Sequence, residues 1–346
     1  DMKIPYHSRW RHFNEPDVAK LAASWKCDDI EKCRRLLDLV TISVLLDAGA
    51  GNKWKYLDSH GKVHERSEGL AIASFDMFKD GVFSSDPALP HRVNSHGLKS
   101  LQLKALQKGL QIDEAENPMT GVEGRFKLLR RLGKALDSHP EFFGAEAPRP
   151  GNMVDYVLKH KTGSNVSIKV LWKAVIEGFE SIWPEHLSSI RRGDVWCYSA
   201  LKEIGVLASD MIPFHKLSQW LSYSLLEPIE NLGVKFTDME LMTGLAEYRN
   251  GGLFVDMGVI VPKNPAVLQL EHDAGSELIV EWRALTICCL DALWDLVCTE
   301  MKTTRQEFPL AKLLQGGTWA AGRIIAAEKR PNKSSPIVVR SDGTVF

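Results

Sequence analysis

Apolar residues return every three or four positions through most of this chain, and that is the period of a helix rather than a strand. EKCRRLLDLVTISVLLDAG (31–49) shows it most plainly: it reads as a buried helix that ends at Gly49. VNSHGLKSLQLKALQKGL (93–110) is amphipathic, with Ser95 a candidate cap and Gly109 near its end, and RFKLLRRLGKALDS (125–138) has a basic outer face. MVDYVLKH (153–160), VLWKAVIEGFESIW (170–183), FHKLSQWLSYSLLEPI (214–229) and DMELMTGLAEYRNGG (238–252) continue the series, and SELIVEWRALTICCLDALWDLVCTEM (276–301) is the longest. Strand signals are few: GLFVDMGVIVP (252–262) after the double glycine, and PIVVRSDGTVF (336–346). Proline and glycine gather in short connectors, SSDPALP (84–90), FFGAEAPRPGN (142–152) and KRPNKSSP (329–336), none long enough to be a disordered linker. There is no internal repeat. The expectation is a mainly α protein with a few short strands, one domain over 1–346, in which a division would fall near residue 150 if anywhere.

The bulk numbers narrow the function classes. A length of 346 residues with 44% hydrophobic and 25% charged side chains is enough for a large core. The net charge of −1 gives no global field for nucleic acid or an anionic membrane. No apolar run reaches the roughly 18 residues of a membrane span, and DMKIPYHSRWRHF lacks the apolar centre of a signal peptide. Asp1 is not an initiator, so the chain reads as starting inside a longer one. Cys27, Cys33, Cys197, Cys288, Cys289 and Cys298 include no CxxC pair, and three fall in one apolar helical stretch. They read as reduced core thiols, which fits the cytoplasm.

Familiar motifs fail on their spacing. DAGAGNKW (47–54) has the start of a dinucleotide fingerprint, but Trp54 stands where the third glycine belongs, so it reads as a helix end and a turn. His60 and His64 have Gly61 between them and no evident third ligand, so no metal site is expected and a solvent-exposed loop is the better reading. KRPNKSS is a short basic loop and reads as a solvated surface.

What remains is a set of ionisable groups inside apolar stretches, where an ion is costly unless paired or hydrogen-bonded. In GLAEYRNGGLFVDMGVI (244–260) these are Glu247, Arg249 and Asp256. In PFHKLSQWLSYSL (213–225), Lys216, Gln219 and Trp220 share one helix face and His215 points off it. In IVEWRALTICCLDAL (279–293), Glu281 and Arg283 either bond locally near a helix start or belong to a site. In SRWRHF (8–13), Arg9, Arg11 and His12 alternate with aromatics, as a snorkelling arm or as one wall of a pocket. Asn250-Gly251-Gly252 would let backbone approach a ligand closely.

YHSRWRHF, LLDAGAGNKWKY, RSEGLAIASFDMF, NPMTGVEGR, PFHKLSQWLSYSLLEP, LMTGLAEYRNGGLFVDMGV, VEWRALT and SDGTVF together resemble the uracil-catabolism protein family of fungi and bacteria, over nearly the whole chain. That resemblance implies a role beside other pathway enzymes in releasing urea from a ribosylated, ring-opened uracil. The segment 213–283 is also similar to the queuosine-salvage nucleosidases, whose fold implies a DNA-glycosylase-like helical core. Their F-x-K-R-A-Q, A-D-Y-R and E-I-R-A segments correspond to Phe214-His215-Lys216-Leu217-Ser218-Gln219, Ala246-Glu247-Tyr248-Arg249 and Glu281-Trp282-Arg283-Ala284. Glu247 replaces their Asp, Leu217 their basic residue, and Asn250-Gly251-Gly252 their Val-Pro-Gln.

These resemblances imply a metal-independent N-glycosidase that needs no cofactor and takes a small ribosylated substrate. Cleavage of an N-ribosidic bond passes through an oxocarbenium-like state that a carboxylate can stabilise. Glu247 is the expected carboxylate and Asp256 the reserve; Lys216 orients it or binds the sugar; His215 is the candidate acid. Arg249 and Arg283 offer bidentate contacts to a phosphate or urea oxygen, Trp220 and Tyr248 flat faces for stacking, and Arg9 and Arg11 closure over the phosphate, with Glu281 and Gln219 as further substrate contacts. The alternative is a non-catalytic binding protein for the same intermediate. A metal-dependent amidohydrolase is disfavoured by the missing ligand spacing.

Overall fold

Leu37 to Leu46 are all buried, Asp38, Thr41 and Ser43 included, so this part of the helix has no solvent face. The structure is a computed structural model that describes residues 3–51, 53–184 and 193–340. A 3-10 turn at Arg9–His12 precedes α1 (Glu15–Ser24) and that central helix, α2 (Asp29–Leu45). The antiparallel pair β1 (Lys55–Leu57) and β2 (Val63–Glu65) leads into α3 (Arg66–Lys79). Then come α4 (Ser95–Ser100), α5 (Leu103–Gly109), α6 (Val122–Ser138), α7 (Pro140–Phe143), α8 (Met153–Lys159), β3 (Asn165–Ser167) and α9 (Ile168–Gly178). β4 (Val195–Cys197) pairs antiparallel with β5 (Met211–Pro213), just before α10 (Lys216–Glu230). β6 (Lys235–Thr237) runs parallel to β3. α11 (Tyr248–Asp256), β7 (Glu271–Asp273), α12 (Glu277–Met301) and α13 (Leu310–Leu313) complete all but the C-terminal part. A π-helical turn, Leu314–Thr318, joins α13 to α14 (Trp319–Lys329), and β8 (Val338–Arg340) pairs parallel with β7.

The protein is mainly α, and every sheet among the described residues has two strands. The core is built on α2 and α10, which pack on each other and are both apolar on nearly all sides. α10 is buried from Leu217 to Leu226 without a break. α3 and the turn at 150–152 cover α2, α9 covers α10, and α11 lies between α12 and α14.

The polar groups inside α2 are anchors. The Asp38 carboxylate accepts from Arg149 Nε and Nη2 (2.9 and 2.6 Å), from the Val93 N–H (3.0 Å) and from the Gly151 N–H (2.7 Å). Gly151 packs so close to α2 that a Cβ there would stand 2.2 Å from the Arg34 carbonyl oxygen. The proline-rich connector near residue 150 is thereby stitched to the central helix.

Several elements differ from the sequence expectation. The helix read over 238–252 is a 3-10 turn at Met239–Leu241, then extended chain, with helix starting only at Tyr248. The strand read over 252–262 is the rest of α11 and the loop after it. The double glycine sits inside that helix because backbone must come close to α12: a Cβ on Gly251 would meet Thr286 Oγ1 at 2.7 Å and the Trp282 ring at 2.8 Å. Close packing here offsets a helix-propensity cost of about 1 kcal/mol per glycine. The single helix read over 93–110 is broken at Leu101-Gln102, and its cap is Asn94, which accepts from the Gly97 N–H. α12 is half-exposed rather than buried: Ile279, Arg283, Thr286, Leu290, Trp294 and Cys298 face inward, while Leu285 and Leu296 face out. Of the cysteines read as core thiols, only Cys33 and Cys298 are buried, and Cys288 lies on the outer face of α12. His60 and His64 lie on the β1–β2 hairpin, with His64 half-buried and bonded to Asp58 at 2.7 Å. β8 matches the start of the C-terminal strand expectation, and 341–346 lies outside the described residues. No helix among the described residues is long and apolar enough to cross a membrane.

Asp38→Asn should destabilise the fold by roughly 3 kcal/mol, because it leaves the buried Arg149 guanidinium short of a charge partner. Asp155→Asn, which breaks only the exposed pair with Arg34, should cost less than about 1 kcal/mol. Urea unfolding midpoints of the two variants check the difference.

Candidate active site

The site is built around a residue with no sequence signal, Asp194, which stands between a turn glycine and β4. Its carboxylate takes both terminal nitrogens of Arg283 (2.7 and 2.6 Å), the Trp196 indole N–H (2.8 Å) and the Lys216 backbone N–H (3.0 Å). Its carbonyl accepts the N–H groups of Phe214 and His215. Burial alone would raise this carboxyl, but the Arg283 charge and the hydrogen bonds outweigh it and hold the group at about 2. Arg283 is 1% exposed, lies 4.1 Å from the Phe214 ring centre, and donates from Nε to the Ala246 carbonyl at 3.0 Å. One ion pair therefore fixes both the start of α10 and the chain just ahead of Glu247.

Glu247 is the N-cap of α11. Its two carboxylate oxygens accept the N–H groups of Arg249 (2.8 Å) and Asn250 (2.6 Å). Glutamate is not among the favoured N-cap residues, and the two bonds set the orientation of this carboxylate. Burial raises its pKa, and the cap bonds and the charges of Lys216 and Arg249 only partly oppose this. Lys216 moves the other way: burial and then the Arg283 charge push its ammonium down, against Asp194, Glu247 and Asp47. The structure thus brings Glu247 and Lys216 near enough to feel each other's charge.

Gln219 and Trp220 lie beyond Lys216 on the same face of α10, and the N-terminal segment packs against that face. The Arg9 guanidinium lies 5.5 Å from the Trp220 ring centre, and the His12 ring is 5.8 Å from it. Arg9 is fully buried, donates to Ser43 Oγ (2.7 Å) and Ser67 Oγ (2.9 Å), and pairs with Asp47 at 3.2 Å. Asp47 is the common neighbour, because its charge also acts on His12, Lys216 and Tyr248. The π-helical turn closes this side. Gln315 bonds the His7 ring at 2.9 Å, and Thr318 Oγ1 donates to Asn250 Oδ1 at 2.8 Å, one turn from Glu247. Such turns recur at functional sites. Arg9 Nη2, His12 Nδ1, Gln219 Oε1 and Trp220 Nε1 are buried and have no hydrogen-bond partner among the described residues.

The other expected site residues are placed differently. Tyr248 stands at the rim, 40% exposed, under the Arg249 guanidinium at 4.9 Å. Arg249 is buried and donates to the Lys333 carbonyl at 2.9 Å, which ties α11 to the 329–336 loop. Arg283 is taken up by Asp194, and its role is positional. His215 is in the left-handed region (φ 46°), with its ring 6.3 Å from Trp172 and beside Trp183, Asp194, Leu217 and Ser218. Burial lowers its pKa, opposed by the Asp194 charge. Asp256, the reserve carboxylate, is held by Arg330 at the far end of α11. Glu281 is on the exposed face of α12, against Tyr198. Arg11 turns outward to Glu227. The glycines after Asn250 pack on α12 and on Pro336 rather than facing the site.

Sequence reasoning missed Asp47, Asp194, His7 and Trp319. Asp47 had a signal, an acid directly after a fully buried helix, hidden by its reading as part of a turn. Asp194 had none, because its partner lies far along the chain.

Two relatives are similar over almost the whole chain. A protein of Lachancea kluyveri named "Uracil catabolism protein 4" is 42% identical over 379 aligned positions, covering 99% of this chain and 85% of its own length. "Protein urg3" of Schizosaccharomyces pombe is 41% identical over 355 positions, covering 99% and 84%. The model of the family described as "Protein of unknown function (DUF1688)" matches residues 1–346, and the chain belongs to that family.

Proposed function

We propose that this protein is an enzyme of uracil catabolism, an N-ribosyl hydrolase that cleaves a ribosylurea or a related ring-opened uridine nucleotide into urea and ribose or ribose phosphate. The observation that carries the reading is the fixed carboxylate of Glu247, on which the Lys216 charge acts. Two backbone N–H groups hold this carboxylate, the charge of an ammonium on α10 acts on it, and the same face of α10 carries Gln219 and Trp220, whose buried Oε1 and Nε1 have no partner among the described residues. The name of the 42% identical relative supports the pathway.

The chemistry is set by the charges that develop. As the C1′–N bond breaks, C1′ becomes positive and the leaving amide nitrogen takes up the bonding pair. Glu247 stabilises C1′ and receives one proton of the attacking water, whose oxygen ends on C1′; the leaving nitrogen takes a proton from solvent, and Glu247 returns its own to solvent to complete the cycle. The cap bonds keep the carboxylate in place while the charge forms, so little reorganisation is needed. Lys216 binds the ribose hydroxyls and holds Glu247 in its charged form. His215 packs near Trp172 and Trp183 and burial lowers its pKa, so we do not assign it the leaving-group proton.

Glu247→Gln should lower turnover of ribosylurea or its 5′-phosphate by about a thousandfold, read as free urea and ribose. The fold should keep its stability to within about 1 kcal/mol, because the Gln oxygen retains one cap bond. Undiminished urea release in that variant contradicts the assignment.

The pH dependence has a definite sign. Burial raises the Glu247 pKa, so the acid limb of kcat should have its midpoint above the ordinary glutamate value of about 4.3. The same shift means that the folded chain holds this proton more tightly than the unfolded one. Glu247 therefore contributes stability at pH below about 4.3 and loses it as pH rises through its folded pKa. Relative to the Glu247→Gln variant, wild type should weaken over that range in urea unfolding.

A further inference from the structure

Four aromatic rings meet around Trp220, on the face of α10 that also carries Lys216. His7 lies 5.1 Å from Trp319 and 6.1 Å from Trp220, and His12 lies 5.7 and 5.8 Å from the same two indoles. Packing alone does not call for imidazoles at such a place, since a buried polar ring must be compensated. The His7 ring is bonded to Gln315. His12 Nδ1, Trp220 Nε1, Gln219 Oε1 and Arg9 Nη2 have no partner among the described residues, and all four side chains are more than nine-tenths buried. Leaving such an atom unpaired is costly. Several on adjoining side chains mark a place where a ligand completes the bonds.

The set has a definite chemistry. Arg9 Nη2 and Trp220 Nε1 can only donate, Gln219 Oε1 can only accept, and His12 Nδ1 does either according to its tautomer. The charges are balanced: Arg9 pairs with Asp47, and Arg323, 4.8 Å from the Trp319 ring centre, pairs with Glu68 at 2.9 Å. Burial keeps both histidines down at about 4, hence neutral near pH 7. The set therefore combines aromatic faces with donors and an acceptor, and its arginines are paired with carboxylates, which suits an amide better than a phosphate.

We infer that His7, His12, Trp220 and Trp319, with Arg9 and Gln219, form a subsite for an uncharged planar amide, as presented by a pyrimidine ring or a ureide. This rests on the hydrolase reading above, in which the subsite receives the leaving group. Lys216 is on the α10 face that carries Gln219 and Trp220, so an amide held here leaves its sugar toward Lys216 and Glu247.

The test is binding to the full chain, monitored by saturation-transfer NMR in titrations with uracil, N-methylurea and ribose 5-phosphate. Wild type should bind at least one of the two amides, and which one tells ring from ureide. Gln219→Met and Trp319→Leu should each weaken that amide by roughly tenfold, about one buried hydrogen bond or ring contact, and leave ribose 5-phosphate unchanged. Trp319→Phe, which keeps a ring, should retain most of the affinity and guards against a folding defect. The subsite is overturned if neither amide binds wild type, if both variants bind it undiminished, or if all probes weaken alike in variants that melt as wild type does. Amide binding that depends on these residues, with no release of urea from ribosylurea, keeps the subsite and drops the hydrolase. Urea release with KM unchanged in both variants keeps the hydrolase and drops the subsite.

Discussion

A buried carboxylate, Asp194, and a buried guanidinium, Arg283, hold the candidate site together. Such a pair is rarely worth more to stability than well-packed apolar side chains. What it provides here is position. The carboxylate receives the first N–H of α10, its own carbonyl receives the two before it, and the guanidinium reaches the carbonyl just ahead of Glu247. Two segments about thirty residues apart are thereby set in register, and the charges of Lys216 and Glu247 meet. The left-handed backbone at His215 has the same origin, because the chain must turn sharply from β5 into α10 while both N–H groups face Asp194.

The site departs from good folding practice in several ways at once. It has an unusual N-cap, a π-helical turn, a non-glycine residue at positive φ and buried polar atoms that have no partner among the described residues. Single departures occur elsewhere too, such as positive φ at Gln111 and Lys302 and a Thr41 Oγ1 with no partner among the described residues, while α2 and α10 pack on each other and the side chain of Asp38 is fully bonded. Local rule-breaking inside a well-made fold is the pattern expected where function has a claim on the structure.

The sequence made the helical class plain, because apolar periodicity is strong over α2, α6, α9 and α10. It misled where backbone proximity overrode propensity. Gly251-Gly252 reads as a helix end, yet close packing on Trp282 and Thr286 keeps it helical, and that mistake also produced the false strand after it. Glu247 and Lys216 were legible because each is an ion set among apolar neighbours. Arg283 was legible as a buried charge, but not its partner, since pairing across such a separation leaves no mark in local spacing. Glu281 was misplaced because two residues apart on a helix face opposite ways: Arg283 is inside and Glu281 outside. Asp256 looked like a second acid for C1′, and only the structure reveals Arg330 holding it. α3 and α14, which supply Ser67 and Trp319, have weaker periodicity and were not anticipated.

Everything proposed for the reaction requires Glu247 and Lys216 to flank a ribosyl carbon. A crystal structure of the Glu247→Gln variant soaked with ribosylurea would show whether they do. C1′ should lie within about 4 Å of the residue 247 amide, with the Lys216 ammonium on the sugar and the urea group among the rings of Trp220 and Trp319. Ribosylurea bound elsewhere, with residue 247 serving only to cap its helix, would contradict the assignment.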